Sequence, residues 1–272
     1  MKSLENLACN IRLSALRMVN KGGSSHIGPI LSVVDILAFL YGSILKFDPK
    51  NPNWDQRDRF ILSKGHAGAG VYAALAECGF FELKELNKHC QNGSKFSGHI
   101  SHKNIPGVEF STGSLGHGLP VSAGMAYAAK LDKGRHKVFC LIGDGEVVEG
   151  SNWEAMLFAG HHKLNNLTVI VDRNRLQSIK STEDTIKLEP LLDKFNAFGW
   201  DSMEIDGHSF IELESAFNSS PHKDKPRVVI CNTVKGKGVS YMEDKIEWHY
   251  KTPTGDLFDQ AIKEVKGKCN EK

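Results

Sequence analysis

The chain has 272 residues, of which 40% are hydrophobic, so it can bury a large core as one big domain or two small ones. Its 34 lysines and arginines and 32 aspartates and glutamates give a formal net charge of +2, which indicates neither a nucleic-acid-binding surface nor an acidic tail. We expect no signal peptide and no membrane span, because the sequence lacks a long apolar run and a basic region followed by an apolar stretch at its N-terminus.

The first part of the chain alternates helical and strand-like patterns. Apolar residues recur at helical spacing over 4–19 and again over 33–45. The stretch 22–29 between them is rich in glycine and serine and ends in proline, which predicts a loop. A short strand is predicted at 59–63, and a helix of small residues at 67–78.

The middle of the chain carries two apolar runs that predict buried strands, at 138–142 and 167–171. A long loop over 91–115 and a helix over 116–131, rich in glycine and alanine, precede them. Between the two strands, helical spacing predicts a helix at 151–162.

The last part of the chain predicts strands at 200–205 and 227–231 with a helix at 210–218 between them. From about 235 onward the segment is irregular, and a loop of that length is more often functional than idle. The alternation of strands and helices predicts an α/β fold, with a mainly parallel central sheet and helices on both faces. We predict a single domain over 1–272.

Polar residues follow the two middle strands directly. Gly143-Asp144-Gly145 comes after the first, and Asn174 comes after the second. In a parallel sheet these strand ends lie side by side, so a carboxylate and an amide oxygen would converge, as Mg²⁺ or Ca²⁺ requires. The glycines and the following helix N-terminus would favour a diphosphate. The alternative for this pattern is a tight strand-to-helix turn and a surface asparagine.

The chain has 12 histidines, and several stand in glycine-rich or loop contexts: His26, His66, His99, His117 and His249. Each one alone is consistent with an ordinary loop histidine. Together they suit binding of diphosphate oxygens or sugar hydroxyls and proton transfer near neutral pH. Their spacing gives little support to a zinc site.

The 6 cysteines have no CxxC or CxxH spacing. Cys140 and Cys231 lie in strand-like apolar runs and are expected to be buried thiols. This usage favours a reducing, cytoplasmic environment over secretion.

Three motifs, in order and with comparable spacing, resemble the N-terminal, diphosphate-binding half of the transketolase family. The block 51–66 is similar to the family signature that ends in the cofactor-binding histidine, here His66. The stretch 112–116 resembles its thiamine-contacting loop, and 143–150 resembles its metal motif. The resemblance extends over nearly the whole chain and implies the thiamine diphosphate-binding fold.

The resemblance implies a set of site residues by matching position. The metal, Mg²⁺ or Ca²⁺, would be bound by Asp144, the Asn174 side chain and the Leu176 carbonyl. Thiamine diphosphate would be contacted by His66, Gly113, Ser114, Leu115, Gly145, Asn174 and His249. The donor sugar would face His26, His99 and His249. His66 is counted among the catalytic residues as well.

Glu149 and Glu154 fall where the family places carboxylates that link paired active sites by a proton relay. The alternative for these two is a charge at a helix N-terminus and a solvated helix face. The chain departs from the family at Arg175, where a glycine is common and would tolerate positive φ. It also carries His117 where many members have glutamine, and the loop before His249 is divergent.

The implied activity is transfer of a two-carbon ketol unit from a ketose phosphate, such as xylulose 5-phosphate, to an aldose phosphate in the pentose phosphate pathway. The family's glutamate that activates thiamine lies in a second, pyrimidine-binding half, which this sequence does not contain. We therefore expect a split enzyme, active only with a C-terminal subunit, as an α2β2 heterotetramer. A truncated chain would be the alternative explanation.

Three rival functions remain at this point. A related thiamine enzyme, such as a 1-deoxyxylulose-phosphate synthase or a 2-oxoacid dehydrogenase component, is disfavoured by the block 54–66. A transketolase for an unusual sugar, such as a branched pentulose phosphate, fits the same motifs. A catalytically idle paralogue that scaffolds or regulates a partner is the third, and the presence of Asp144 and Asn174 argues against it.

Overall fold

A five-stranded, wholly parallel sheet in the order β1-β2-β3-β5-β4 forms the centre of the protein. The computed structural model describes residues 3–220 and 222–270. The strands are β1 (Arg59–Leu62), β2 (Val138–Gly143), β3 (Leu167–Arg173), β4 (Asp201–Asp206) and β5 (Arg227–Asn232). The middle strands are almost fully buried, which explains their continuous apolar runs, whereas the edge strand β4 is partly exposed.

Helices cover the sheet on both of its faces. In the described part of the chain they are α1 (Leu4–Gly22), α2 (Ile27–Ser32), α3 (Val34–Phe39), α4 (Gly68–Glu77), α5 (Gly118–Leu131), α6 (Gly150–His161), α7 (Thr182–Thr185), α8 (Leu191–Ala197), α9 (Phe210–Asn218) and α10 (Gly255–Asn270). A π-helical turn spans Leu40–Ile44, and 3₁₀ turns span Gly65–Ala67, Leu83–Lys88 and Ile246–His249. None of the described helices is long and apolar enough to cross a membrane.

Alternate residues of β2 pack into two separate cores. Phe139 and Leu141 join a core formed mainly by α1 to α4, α9 and α10. Cys140 and Ile142 join a second core with α5, α6 and α8 on the opposite face. The structure therefore confirms the predicted α/β architecture with a parallel sheet between two helical layers.

Most of the predicted elements are confirmed to within a few residues, and two regions differ. The predicted helix 33–45 is divided, because α2 already begins at Ile27, inside the predicted loop, and a π-turn ends the segment. Pro29 is compatible with this early start, since the first helical turn needs no intrahelical N–H donor. The segment 235–254 is largely irregular, as expected, but α10 follows it instead of further irregular chain.

A disulfide joins Cys9 of α1 to Cys269 of α10, across a sequence separation of 260 residues. The two helices pack against each other, which brings the cysteines together. The sequence did not predict this bond, because nothing in the local spacing links residues so far apart. Cys140 and Cys231 are buried free thiols, as predicted.

A charged network ties α1, α3 and the loop after β4 together. Arg12 forms an ion pair with Asp35, and Nδ1 of His208 lies 2.7 Å from the same carboxylate. Burial alone would raise the pKa of Asp35, but the charge of Arg12 and the hydrogen bonds from His208 and Arg12 hold it well below its usual value. Asp35 therefore stabilises the fold as the carboxylate.

We expect Asp35→Asn to lower the free energy of unfolding by about 2 kcal/mol at pH 7, in the range for hydrogen bonds to charged groups. Since the pKa of Asp35 is depressed in the folded state, its contribution is complete above the unfolded value near 4 and is lost as the pH falls further. Urea denaturation at a series of pH values should show the difference from wild type shrinking below about pH 4. Asp259→Asn, at an exposed position, is the control; an Asp35→Asn effect independent of pH would contradict the account.

Candidate functional site

The ends of β2 and β3 lie side by side, as the sequence predicted. In the parallel register Gly143 pairs with Asp172, and the backbone N–H of Asp144 donates to the Asp172 carbonyl at 3.1 Å. This pairing places the segment after β2 directly beside the loop that follows β3. The predicted convergence of Asp144 with the Asn174 loop therefore follows from the register of the sheet.

The loop after β3 wraps the Asp144 carboxylate. The N–H of Arg175 donates to Asp144 Oδ2 at 2.5 Å, and the N–H of Gly145 donates to Oδ1 at 2.7 Å. Asn174 Oδ1 accepts from the N–H of Leu176 at 3.1 Å. Arg175 adopts φ 62°, so the positive φ expected of a glycine is retained with an arginine, at the energetic cost of a left-handed non-glycine residue.

A buried ion pair lies beneath this loop. Lys64 Nζ is 2.5 Å from Asp172 Oδ2, and the two side chains are 3% and 0% exposed. Asp172 also accepts hydrogen bonds from the Ser32 hydroxyl, the Thr233 hydroxyl and the Asn174 amide. Burial would raise the pKa of Asp172, but the charge of Lys64 and these hydrogen bonds lower it, so Asp172 is an ionised structural group.

The pKa of Asp144 is shifted in the opposite direction to that of Asp172. Burial, and then the nearby charge of Asp172, raise its pKa to about 7. A carboxylate in such a place is stabilised by a cation brought next to it. No group of three or more His, Cys, Asp or Glu side chains suited to a metal occurs in residues 3–220 and 222–270, so a cation here would rely on Asp144 together with amide and carbonyl oxygens, the hard ligands of Mg²⁺ and Ca²⁺.

A cavity of about 230 Å³ opens beside Asp144. Among the residues predicted from the sequence, those that line it are His66, Leu115, Asp144, Gly145, Asn174, Leu176 and His249. The other lining residues are Pro29, Lys64, Gly143, Glu146, Gln177, Ser178, Lys235 and Tyr250. The cavity therefore joins the predicted metal loop to two of the predicted histidines.

Four of the predicted histidines form one cluster. The ring of His26 lies 5.2 Å from that of His66, 5.3 Å from that of His99 and 5.0 Å from that of His249, between centroids. The rings of His66 and His249 are 5.4 Å apart. These residues come from four separate loops, so only the tertiary fold assembles them.

Three of these histidines are held neutral. Desolvation by burial, and then nearby charges, lower the pKa of His26 to about 4 and that of His249 to about 3, and they also lower the pKa of His66. Lys235 Nζ is 3.1 Å from His249 Nδ1; since an ammonium group only donates, Nδ1 accepts and the proton of the neutral ring is on Nε2. At neutral pH these imidazoles can therefore exchange hydrogen bonds with hydroxyl groups without repelling one another as cations.

The backbone fixes the position of the central histidine. His26 adopts φ 74°, in the left-handed region that non-glycine residues seldom occupy. Its N–H donates to the His249 carbonyl at 2.9 Å, so the two histidine loops are directly connected. The Nδ1 atom of His26 is buried and has no hydrogen-bond partner among the described residues, which leaves a polar group available to a ligand.

Glu146 links the 112–116 loop to the end of β2. Its buried carboxylate accepts hydrogen bonds from the Ser63 hydroxyl at 2.5 Å and from the N–H groups of Gly116 at 2.9 Å and Gly143 at 3.1 Å. Burial raises the pKa of Glu146. Gly116, at φ 81°, has no room for a side chain, because a Cβ would lie 2.6 Å from that of Glu149.

The remaining predicted residues lie around or outside the cavity. His99, Gly113 and Ser114 are exposed and, like His26, do not line the cavity, and a Cβ on Gly113 would lie 3.7 Å from the His99 ring. Glu149 and Glu154, at the start and in the first turns of α6, are exposed and do not line the cavity. His117 is also exposed, and its Nδ1 lies 2.9 Å from the Leu115 carbonyl.

Two lysines that contribute to the charge of the site were not predicted from the sequence. Lys64 directly precedes the Gly65-His66 pair, and Lys235 follows β5, whose end lies beside that of β3. Lys235 Nζ donates to the carbonyls of Leu176 at 3.2 Å and Gln177 at 2.8 Å. Applying the strand-end argument to β5 as well as to β2 and β3 would have found Lys235.

The arrangement fits a metal-bound diphosphate. Lys64 and Lys235 supply positive charge, and the oxygens of Asp144, Asn174 and Leu176 are available to a divalent cation. The amide Nε2 of Gln177 is buried without a partner among the described residues, so a donor is left for an acceptor oxygen in the cavity that Gln177 lines. The donor set therefore suits the diphosphate cofactor that the motifs imply.

Comparisons with known proteins agree with this chemistry. Residues 4–269 match the family described as the transketolase, thiamine diphosphate binding domain. The chain is 42% identical over 255 residues to one of the subunits of the apulose-4-phosphate transketolase of Phocaeicola vulgatus, covering 93% of this chain and 90% of that protein. It is 39% identical over 264 residues to the 6-deoxy-6-sulfo-D-fructose transketolase subunit SqwG of a Clostridium species, and the match covers 97% of this chain and 96% of that protein.

The fold has a close counterpart among solved structures. The crystal structure of the transketolase from Campylobacter jejuni superposes with a TM-score of 0.92 at 33% identity. The match covers 99% of this chain and 43% of that transketolase. This chain therefore corresponds in extent to the subunit-type relatives and spans less than half of that transketolase.

Proposed function

This chain belongs to the transketolase family of transferases, in its thiamine diphosphate binding domain, and from that premise we propose that it is the diphosphate-binding subunit of a two-subunit transketolase. The observation that carries the proposal is the cavity in which the Asp144 loop, Lys64 and Lys235 meet His66 and His249 of the histidine cluster. The reaction is reversible transfer of a two-carbon ketol unit from a ketose phosphate to an aldose phosphate.

The need for a second subunit is supported by the relatives. Two proteins that this chain matches over at least 90% of their length are named as transketolase subunits. His99, Gly113 and Ser114 are also exposed in this chain, next to the lining residue Leu115 and the His26 ring. A partner of the pyrimidine-binding type would cover these residues and supply the glutamate that activates thiamine.

The diphosphate end of the cofactor is bound by charge. Asp144, the Asn174 side-chain oxygen and the Leu176 carbonyl would hold Mg²⁺ or Ca²⁺, and Lys64 and Lys235 would face the phosphate oxygens. Gly145 lines the cavity with backbone atoms only, and Leu115 contributes an apolar side chain to the wall. Thiamine diphosphate, when bound, supplies the carbanion and the electron sink for breaking a carbon–carbon bond next to a carbonyl.

The histidines act on the sugar. Neutral His66 and His249 line the cavity and can donate and accept hydrogen bonds with hydroxyl groups, and His26 and His99 stand directly behind them in the cluster. Because the pKa values of His66 and His249 are lowered, these neutral rings hold and orient the hydroxyl groups.

The donor that we propose is xylulose 5-phosphate, which would place the enzyme in the pentose phosphate pathway. A second candidate is a transketolase for another sugar, because two relatives are named for apulose 4-phosphate and for 6-deoxy-6-sulfo-D-fructose. The same cofactor site serves either donor, so the two candidates differ only in how the sugar is held.

Mixing the two subunits tests the proposed function. We expect transfer from xylulose 5-phosphate to ribose 5-phosphate, with thiamine diphosphate and Mg²⁺, only when this chain is combined with the candidate pyrimidine-binding partner. Apulose 4-phosphate and 6-deoxy-6-sulfo-D-fructose are assayed in parallel as donors. Activity of this chain alone, or a mixture that binds the cofactor and transfers no two-carbon unit from any donor, would contradict the proposal.

An α2β2 assembly and a cytoplasmic location complete the proposal. Cys90, Cys140 and Cys231 are free thiols, which is the usual state in a reducing compartment and supports this location, whereas the Cys9–Cys269 disulfide is a bond typical of an oxidising one. Light scattering on the purified mixture measures the stoichiometry directly, and a mass other than that of two copies of each subunit would revise it.

A further inference from the structure

Tyr250 is an exposed aromatic residue on the wall of the cofactor cavity. It is 60% exposed, whereas Asp144 and Lys64, which line the same cavity, are 3% and 2% exposed. Its ring lies 4.8 Å from that of His249 and 6.0 Å from that of His26, between centroids. Tyr250 therefore stands at the mouth of the cavity, on the side of the histidines.

The backbone around Tyr250 is fastened to the loop that carries His26. The hydroxyl of Thr252 donates to the Ser24 carbonyl at 2.5 Å, and the Asn20 amide donates to the Pro253 carbonyl at 2.9 Å. The N–H of Tyr250 itself donates to the Glu247 carbonyl at 3.2 Å. The backbone position of Tyr250 is thus held by contacts to α1, to the loop that carries His26 and to the preceding 3₁₀ turn.

The polar group of Tyr250 is not used within the described part of the chain. Two other aromatic residues nearby do use theirs, since the Tyr241 hydroxyl donates to Leu257 and the Trp248 ring donates to Tyr241. No such intramolecular bond is made by the Tyr250 hydroxyl among residues 3–220 and 222–270. An exposed aromatic face with a spare hydroxyl suits a sugar, which offers apolar C–H groups beside hydroxyl groups.

We propose that Tyr250 selects the part of the sugar phosphate that lies beyond the transferred two-carbon unit. The inference rests on the proposed function, which places the reacting end of the donor at the inner wall with His66 and His249. The rest of the sugar then extends toward the mouth and meets the Tyr250 ring. Donors that share the ketol end differ in this distal part, so a residue here discriminates among them without taking part in the bond cleavage.

Two variants of the assembled two-subunit enzyme test the proposal. Kinetics are measured with the ketose phosphate that the wild type uses best and with hydroxypyruvate, which carries the two-carbon unit without a sugar chain. We expect Tyr250→Ala to raise the KM for the ketose phosphate about tenfold, as the loss of an aromatic contact allows, with kcat and the KM for hydroxypyruvate within about twofold of wild type. Tyr250→Phe separates the ring from the hydroxyl, and it should raise the same KM by a smaller factor.

Two further measurements on the same samples separate the alternatives. The Kd for thiamine diphosphate with Mg²⁺ and the Kd between the subunits should be unchanged in both variants. Ile211→Ala, at a position on α9 that is 82% exposed and does not line the cavity, should match wild type throughout.

Three results would overturn the inference. Equal losses with hydroxypyruvate and the ketose phosphate would mean that Tyr250 acts on the shared ketol end. Weakened association between the two subunits with unchanged KM values would make Tyr250 an interface residue. An unchanged KM for the ketose phosphate in Tyr250→Ala would show that Tyr250 does not contact the distal part of the sugar. A wild-type pair of subunits that is inactive even with hydroxypyruvate would instead contradict the proposed function on which the inference rests.

Discussion

Replacing Lys64 with methionine should lower the free energy of unfolding by about 3–5 kcal/mol, the range observed when one partner of a buried ion pair is removed. The Asp172 side chain is 0% exposed, so without Lys64 its charge would be buried and uncompensated. The hydrogen bonds from Ser32, Asn174 and Thr233 would remain, but they do not replace the lost cation. Urea denaturation without cofactor measures the change.

The pH dependence of the stability loss in Lys64→Met and a second substitution, at Asp172, test whether the unpaired Asp172 charge causes that loss. In Lys64→Met the pKa of Asp172 should rise, so the deficit relative to wild type should shrink as the pH falls and the buried carboxylate becomes protonated. Adding Asp172→Asn removes the unpaired charge and should restore about half of the lost stability. Lys84→Met is the matched control, since Lys84 is 78% exposed and its ion pair with Glu82 is at the surface. A loss below about 1 kcal/mol in Lys64→Met would contradict this account.

Replacing Asp144 with asparagine should change the pH dependence of stability and weaken cofactor binding. The pKa of this carboxyl is raised to about 7 in the folded chain, above its unfolded value near 4, so ionised Asp144 destabilises the metal-free fold as the pH rises between these values. Asparagine cannot ionise, so this fall in the free energy of unfolding with rising pH should be absent in the variant. Its amide can accept from only one of the Arg175 and Gly145 N–H groups, so the comparison is made across a pH series and not at a single pH. The substitution also removes the anionic ligand that we propose for the metal, so metal-dependent binding of thiamine diphosphate should weaken by at least about a hundredfold.

Calorimetric titration with thiamine diphosphate and Mg²⁺ measures the cofactor affinity. Urea denaturation without metal, at a series of pH values, measures the free energy of unfolding. Asp256→Asn, at an exposed position in the first turn of α10, should change neither quantity appreciably. If Asp144→Asn kept wild-type cofactor affinity, the proposed metal site would be wrong. If its free energy of unfolding fell between about pH 4 and about pH 7 as much as that of wild type, the titration assigned to Asp144 would be wrong.

The sequence was most informative where function depends on the ends of neighbouring strands. The apolar runs identified β2 and β3, and the register of a parallel sheet then placed Asp144 beside the Asn174 loop. The transketolase resemblance, carried by ordered motifs, is confirmed by the family match over 4–269. Both successes rest on short-range patterns whose geometric consequences are fixed by the sheet.

The features that could not be predicted depend on contacts between distant parts of the chain. Nothing local links Arg12 with Asp35 and His208, or Lys64 with Asp172, and the tertiary fold that buries these pairs also supplies the charges and hydrogen bonds that keep the carboxylates ionised. The helix α10, in contrast, could have been predicted from the sequence. Ala261 and Val265 are apolar residues at helical spacing, and both are buried in the structure. The roles of Glu149 and Glu154 stay predictions, since both are exposed in this chain.

The bond between Cys9 and Cys269 has a mechanical consequence. When a force pulls on the chain outside these two cysteines, the tension passes through the disulfide and bypasses the 259 residues between them, which follows from a sequence separation of 260. In the oxidised protein the parallel sheet and both of its helical layers then carry no load. After reduction the same pull is transmitted through α1 and α10 to the sheet, so the strands that hold the site would be the ones under tension.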